Sequence, residues 1–207
     1  MALQSSGAIS LNDVHIELDG SSASGTTVSL NATDVRALVG ISSGEIELED
    51  FYGASAAFST TITEGVSTFT SANYYGLRQS NSIGSANPAN VNISGNTHPI
   101  RGAYRRVNKH TRTGAIITGS SSFWMEIQNT SGGVTAASDA FDSVTLTFDG
   151  NSFTLDRSDA ITLTFGSGST GRRDFRWFSS SFPSTSDHQD FEDDIDGTGS
   201  FTLGITF

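Results

Sequence analysis

A mainly β chain is predicted: an antiparallel β-sandwich, jelly-roll-like, preceded by a small mixed α/β segment. Three observations predict it. The 207 residues include 22 Gly, 14 Phe and abundant Ser and Thr, the balance of a protein built from strands and turns. From residue 58 onward, short stretches alternate apolar and polar residues with the period of a half-buried strand. The first fifty-odd residues have another texture, one short pattern written three times.

The copies are Ile9-Ser10-Leu11-Asn12-Asp13-Val14, Val28-Ser29-Leu30-Asn31-Ala32-Thr33-Asp34-Val35 and Ile46-Glu47-Leu48-Glu49-Asp50-Phe51. Each opens on an apolar–polar–apolar triplet and runs into Asn, Asp or Glu, residue types that suit the start of a helical turn. A strand stub feeding a helix start is expected in each, with Ser/Gly turns between. A segment of this size buries only about 60% of the surface its unfolded chain exposes and is marginal alone. It is therefore expected to dock on a partner through Ile9, Leu11, Val28, Leu30, Ile46, Leu48 and Phe51, with Tyr52 at the edge. The small residues Ala54 to Ala57 mark the boundary, dividing the chain into residues 1–55 and 56–207.

In the second part, Thr60 to Thr63 and Val66 to Phe69 are β-branched runs around Glu64-Gly65, followed by Tyr74 to Leu77. Residues 79–96 read as a long loop with a weak strand near Val91. Ile100 to Val107 is a strand with arginine on its outward positions, and Phe123, Met125 and Ile127 alternate with Trp124, Glu126 and Gln128. Val144, Leu146 and Phe148, the turn at Asp149-Gly150, and then Phe153 and Leu155 form a hairpin. Ile161, Leu163 and Phe165 make the next strand, and Phe175 and Trp177 begin another. Phe201, Leu203, Ile205 and Phe207 place the last strand against the core.

Charge and composition exclude several classes. No Cys is present, so no disulfide or zinc–thiolate site exists. A net charge of −11 opposes general nucleic-acid binding, which needs a basic face. No leader and no membrane-spanning run is visible, which points to synthesis in a cytoplasm and no membrane insertion. The charge is uneven, however: Arg101, Arg105, Arg106, Lys109 and Arg112 form a basic island, and Asp187 to Asp196 an acidic run. The island is a candidate subunit interface or anionic-ligand patch, because arginine suits bidentate pairing with carboxylates.

Catalytic and metal motifs are weak. Gly40-Ile41-Ser42-Ser43-Gly44 matches a nucleophile elbow but sits in a Ser/Gly turn, and Gly166 to Gly171 matches a dinucleotide loop without a following helix. Asp190, Asp193, Asp194 and Asp196 lack the distal ligand of a calcium loop, and His15, His98, His110 and His188 are scattered. No catalytic residue, metal or cofactor is expected. Tyr74, Tyr75 and Trp124 are candidate glycan contacts, since aromatic faces stack on sugar rings.

The opening residues Leu3 to Val14, followed by Val28-Ser29-Leu30, Val35 to Leu38, Gly44-Glu45-Ile46 and Phe51-Tyr52-Gly53, resemble the amino-terminal segment of tailed-bacteriophage virion proteins of marine and cyanophage type. The remainder, with Tyr75-Gly76, Ile100 to Tyr104, Ser143 to Leu146 and Phe175-Arg176-Trp177, is similar to the β-rich domain that often follows it. The resemblance implies a virion location, as a tail-fibre or baseplate component docking through its N-terminus. It implies an amino-terminal docking segment and an outward β-domain, and no receptor site is carried over from it. Other virion proteins as partners, self-association through the Arg and acid patches into homo-oligomers such as trimers, and a host-surface glycan as ligand are the expectations that go with a tail component. The basic and acidic stretches depart from that pattern. A free carbohydrate-binding module is the alternative.

Overall fold

The computed structural model describes residues 3–4, 6–19, 28–39, 43–52, 57–93, 96–129, 141–148, 151–166 and 171–207. In the N-terminal segment the repeated pattern makes helical turns: α1 (Leu11–Asp19), α2 (Thr33–Leu38) and a single 3-10 turn at Leu48–Phe51. The expected strand stubs do not form. A three-residue alternation is outweighed by capping, because the polar residue inside each triplet satisfies the orphan donors of the turn that follows. The Ser10 N–H donates to Asp13 Oδ2 at 2.7 Å, and the Asp13 N–H to Ser10 Oγ at 3.2 Å. The Glu47 N–H donates to Asp50 Oδ2 at 2.8 Å in the third copy, and the Asn31 N–H to Ser29 Oγ at 3.3 Å in the second.

The last residue of each copy, Val14, Val35 and Phe51, is buried, together with Leu3, Ile9 and Ile46. Val28, Leu30, Leu38 and Val39 pack against them. Arg36 is engaged inside this unit, donating to Asn31 Oδ1 at 3.0 Å and to the Gly44 carbonyl at 2.7 Å.

The rest of the described chain is a β-sandwich of two antiparallel sheets. Its strands are β1 (Ala57–Thr63), β2 (Gly65–Thr68), β3 (Ala72–Arg78), β4 (Ser85–Asn87), β5 (Asn90–Ile93), β6 (Asn96–Asn108), β7 (Ser122–Gln128), β8 (Ser143–Phe148), β9 (Asn151–Asp156), β10 (Ile161–Phe165), β11 (Arg172–Trp177) and β12 (Ser200–Thr206). One sheet runs β4-β1-β12-β8-β9 and the other β10-β11-β7-β6-β3-β2, with β5 paired to β6. Their inner faces meet in one core. Ile62, Val144, Leu146, Phe153, Leu155, Phe201, Leu203 and Ile205 come from the first sheet; Leu77, Ile100, Phe123, Met125, Ile127, Phe175 and Trp177 come from the second. This core shares no residue with the N-terminal one. Phe148 opposes Asn151, leaving two residues for the hairpin turn; those two lie outside the described residues.

Two elements depart from the expectation. Residues 79–96 hold the expected weak strand as β5 and, across a cis Asn87–Pro88 bond, a second short strand, β4, that was not expected. The acidic run is a helix, α3 (Thr185–Asp194), capped by Ser184, whose Oγ accepts from the Asp187 N–H. One stripe of it is apolar: Phe191 and His188 are buried, and Ile195 follows in the core. Arg105 holds its C-terminal end, donating to the carbonyls of Glu192 and, at 2.9 Å, Ile195; those carbonyls have no partner within the helix. No helix among the described residues is long and apolar enough to cross a membrane.

Beside this end, Glu64 accepts from the Gly197 N–H at 2.7 Å, and burial raises its carboxyl above the ordinary value of 4.5, the Gly197 bond and Arg105 opposing. A raised carboxyl binds its proton more tightly in the folded than in the unfolded state, so stability falls as pH rises through the folded value and is fully present below 4.5. Glu64→Gln should remove this component: relative to wild type, the variant gains stability at pH 7 and the gain vanishes toward pH 4. Urea midpoints measured across that range check it, and a difference independent of pH contradicts it.

Candidate functional site

Strand β7 divides its side chains by parity. Phe123, Met125 and Ile127 enter the core, while Trp124, Glu126 and Gln128 stand on the outer face of the larger sheet. Antiparallel register places Asp174 of β11 opposite Glu126, Arg176 opposite Trp124 and Arg172 opposite Gln128. On the other side of β7, Gly102 and Tyr104 of β6 oppose Glu126 and Trp124, and Arg78 of β3 opposes Gly102. Glycine at 102 makes the floor: a Cβ there would lie 2.9 Å from the Tyr104 ring and 3.0 Å from Glu126 Cγ.

Two carboxylates are buried on this face, Glu126 1% exposed and Asp174 fully buried. Tyr104 donates its hydroxyl to Glu126 Oε1 at 2.7 Å. The Nε atoms of Arg78 and Arg172 lie 3.7 Å from the two Glu126 oxygens, and Arg172 Nε donates to Asp174 Oδ1 at 2.8 Å. Burial pushes the Asp174 carboxyl up, with Arg172 opposing. Burial and the adjacent Glu126 charge push the Tyr104 hydroxyl far up, so it remains a donor. Beside the network is a cavity of about 290 Å³ lined by Gln79, Ser80, Arg101, Glu126, Gln128 and Arg172. Arg101 stands at a β-bulge between Ile100 and Gly102, which turns it toward Gln79 and Gln128, to both of which it donates.

The expected glycan trio does not come together. Tyr74 and Tyr75 are consecutive on β3 and point to opposite faces. Tyr74 lies under Arg78, whose Cζ is 4.2 Å from the ring centroid, and Tyr75 packs against the core under Arg105. Trp124 is buried on the outer face, stacked on Tyr104 at 5.7 Å and covered by Arg176 at 3.6 Å. Its ring is the hydrophobic floor for two guanidiniums, Arg106 being the other at 5.2 Å, and has no face to offer a sugar.

The basic island divides as well. Arg101 lines the cavity, Arg105 points to the opposite face to hold α3, and Arg106 covers Trp124. Lys109 makes an isolated bridge to Ile116, and Arg112 is exposed in a turn. Alternation sends Arg105 away from Arg101 and Arg106, and Lys109 and Arg112 lie beyond the end of β6, so these five do not form one patch.

Among the eight expected docking residues, Ile9, Ile46 and Phe51 are buried in the segment's own core and hold the unit together, while Val28 and Leu30 pack against that core and stay half-buried. Leu11, Leu48 and Tyr52 are exposed, at 41%, 42% and 43%. Of the catalytic matches, residues 40–42 and 167–170 lie outside the described residues. No group of three His, Asp or Glu that could hold a metal forms among the described residues, the acidic helix included. The residues sequence reasoning passed over are Gln79, Ser80, Gln128 and Arg172. The signal for Gln128 and Arg172 was their place at alternate positions of β7 and β11, on the side away from the Phe positions; Gln79 and Ser80 lie in a 3-10 turn after β3, where no period marks them.

No family model matches this chain. No curated protein and no solved structure matches it either.

Proposed function

We propose that the chain is a non-enzymatic structural component of a phage virion, carried on a tail fibre or baseplate. The N-terminal unit attaches to a tail partner, and the sandwich faces outward to contact a host-surface glycan. The observation that carries this reading is the use made of the repeat. Corresponding triplets send Ile9 and Ile46 inward and keep Leu11 and Leu48 at the surface, and Tyr52 is exposed too. The unit thus has a core of its own and an apolar surface left over, which fits a plug for a larger assembly. The resemblance of the opening residues to virion segments supports the same reading, and symmetric homo-oligomers, trimers among them, belong to it.

Deleting residues 1–53 tests it. The truncated protein should keep its strand circular dichroism, since the sandwich core lies wholly beyond residue 57, and should be missing from purified particles. Incorporation at the wild-type level overturns the reading. A free carbohydrate-binding module is the second reading, favoured by the polar cavity on the sandwich, and a monomeric mass for the full chain would support it.

A further inference from the structure

We propose that the cavity on the outer face of the larger sheet binds a monoanionic acidic sugar, a uronate whose carboxylate is held by Arg101 and Arg172. The proposal rests on the outward-facing, glycan-contacting reading above and names its ligand class. Its first ground is charge. Arg78, Arg101, Arg106, Arg172 and Arg176 share this face with two acids, Glu126 and Asp174. A chain of net charge −11 thus concentrates positive charge at one place, and a carboxylate is the anion whose planar geometry matches a guanidinium fork.

The second ground is what the internal bonds leave over. Arg172 is fixed by Asp174 through Nε and Nη2, and Arg101 by the side-chain oxygens of Gln128 and Gln79 through Nε and Nη1. Arg172 Nη1 and Arg101 Nη2 have no hydrogen-bond partner among the described residues. Two pre-oriented donors therefore line one cavity, and little rotamer entropy remains to be lost on binding.

The third ground separates a uronate from a phosphate. The buried Glu126 carboxylate lines the same cavity. Its charge beside the cavity repels a dianion more than a monoanion. Gln79, Ser80 and Gln128 supply amide and hydroxyl groups around it, the partners a polyhydroxylated ring needs. At the rim, the edge strand β10 presents Ile161, Leu163 and Phe165 on the same face, with Phe165 41% exposed and the Arg172 guanidinium 4.9 Å from its ring. An apolar stripe beside two arginines suits the C–H face of a sugar that also carries a charge. The volume, about 290 Å³, is at the small end of ligand pockets and limits the occupant to one or two rings.

The test is calorimetric titration of the full chain at low salt with the monosaccharides galacturonate and glucuronate, their neutral methyl esters, and inorganic phosphate. The free acids should bind, with esterification and Arg101→Gln each weakening the interaction about tenfold or more. Arg172→Gln should do the same; because Arg172 also neutralises Asp174, the variant at the half-exposed Arg101 is the deciding one if Arg172→Gln is unfolded. Phe165→Ala should weaken binding about threefold without touching the charge. Equal affinity for acid and ester, an unchanged Arg101→Gln, displacement by phosphate at matching concentration, or no binding of any uronate to about 10 mM overturns the proposal. Each of those results leaves the truncation experiment untouched, so loss of the ligand assignment is distinguishable from loss of the virion reading.

Discussion

Replacing Glu126 by alanine should lower the free energy of unfolding by about 3–5 kcal/mol, the cost of stripping one partner from a buried charge cluster. Both carboxylate oxygens are engaged, by the Tyr104 hydroxyl at 2.7 Å and by the Nε atoms of Arg78 and Arg172 at 3.7 Å. Arg78 is 19% and Arg172 30% exposed, so both cations are drawn partly out of water toward this group. Alanine leaves two half-desolvated guanidiniums facing each other, an orphaned Tyr104 hydroxyl and a void over Gly102. Glu126→Gln keeps the volume and an acceptor for Tyr104 and loses only the charge, so it should cost about half as much. Tyr104→Phe deletes one hydroxyl from a charge-assisted bond, for roughly 1.5–3 kcal/mol. The three costs should not add, because Tyr104 and Glu126 share a bond, and a double-mutant cycle by urea denaturation reads their coupling directly. A loss below about 1 kcal/mol for the alanine variant would mean that the carboxylate is hydrated in solution and that Tyr104, Arg78 and Arg172 do not converge on it.

The sandwich could be read ahead of the structure wherever one face of a strand is buried against the core. Val144-Leu146-Phe148, Phe153-Leu155 and Phe201-Leu203-Ile205 write that burial into the sequence at every second position, and all are core. Where burial is not one-sided, the period carries no message. β4 and β5 are short and rich in Asn and Ser, and hydrogen bonding to β1 and β6 defines them. Helix α3 was hidden for the opposite reason. Its composition is acidic, and only Phe191 and His188 within it are buried, too few for a visible stripe. The legible signal was Ser184 three residues before Asp187, a capping pair like Ser10 with Asp13 and Glu47 with Asp50. Those pairs decided helical turns over strand stubs in the N-terminal segment too.

The candidate site was half legible. That Glu126 and Gln128 leave the core side of β7 follows from alternation with Phe123, Met125 and Ile127, and the same rule places Tyr74 and Tyr75 on opposite faces. What alternation cannot supply is which strands become neighbours. β7 sits between β6 and β11, so residues from Gln79 to Arg172 meet at one cavity only after the sheet has formed. The grouping of Arg101, Arg105 and Arg106 by position in the chain was misleading because a strand has two faces: Arg105 goes to the side that holds α3, while the bulge leaves Arg101 on the outer face with Arg106.

Gly76→Ala should be a severely damaging single methyl group in the sandwich, costing about 3–5 kcal/mol. Two separate penalties meet there. The residue has φ +118°, a conformation L side chains rarely adopt, and that strain alone costs on the order of 1–3 kcal/mol. A Cβ would also lie 2.6 Å from the Ala103 carbonyl oxygen and 3.0 Å from Tyr104 Cα, backbone atoms that cannot rotate aside. Relief requires β3 to move off β6, loosening a ladder that runs from Ala72↔Asn108 to Arg78↔Gly102 and carries Tyr74 and Arg78 to the site. Overpacking of this kind adds roughly 1–3 kcal/mol. Two other glycines separate the penalties. Gly114 has φ +71° with open space around it, so Gly114→Ala should show the strain alone; Gly204 has no left-handed φ and would meet atoms no closer than 3.6 Å, so Gly204→Ala should stay within about 1 kcal/mol of wild type. Chemical denaturation of the three variants should rank them Gly76, Gly114, Gly204 in order of loss. A Gly76→Ala protein as stable as the Gly204 variant would mean that β3 and β6 do not approach as closely as the structure has them, and the placement of Arg78 over Tyr74 and beside Glu126 would fall with it.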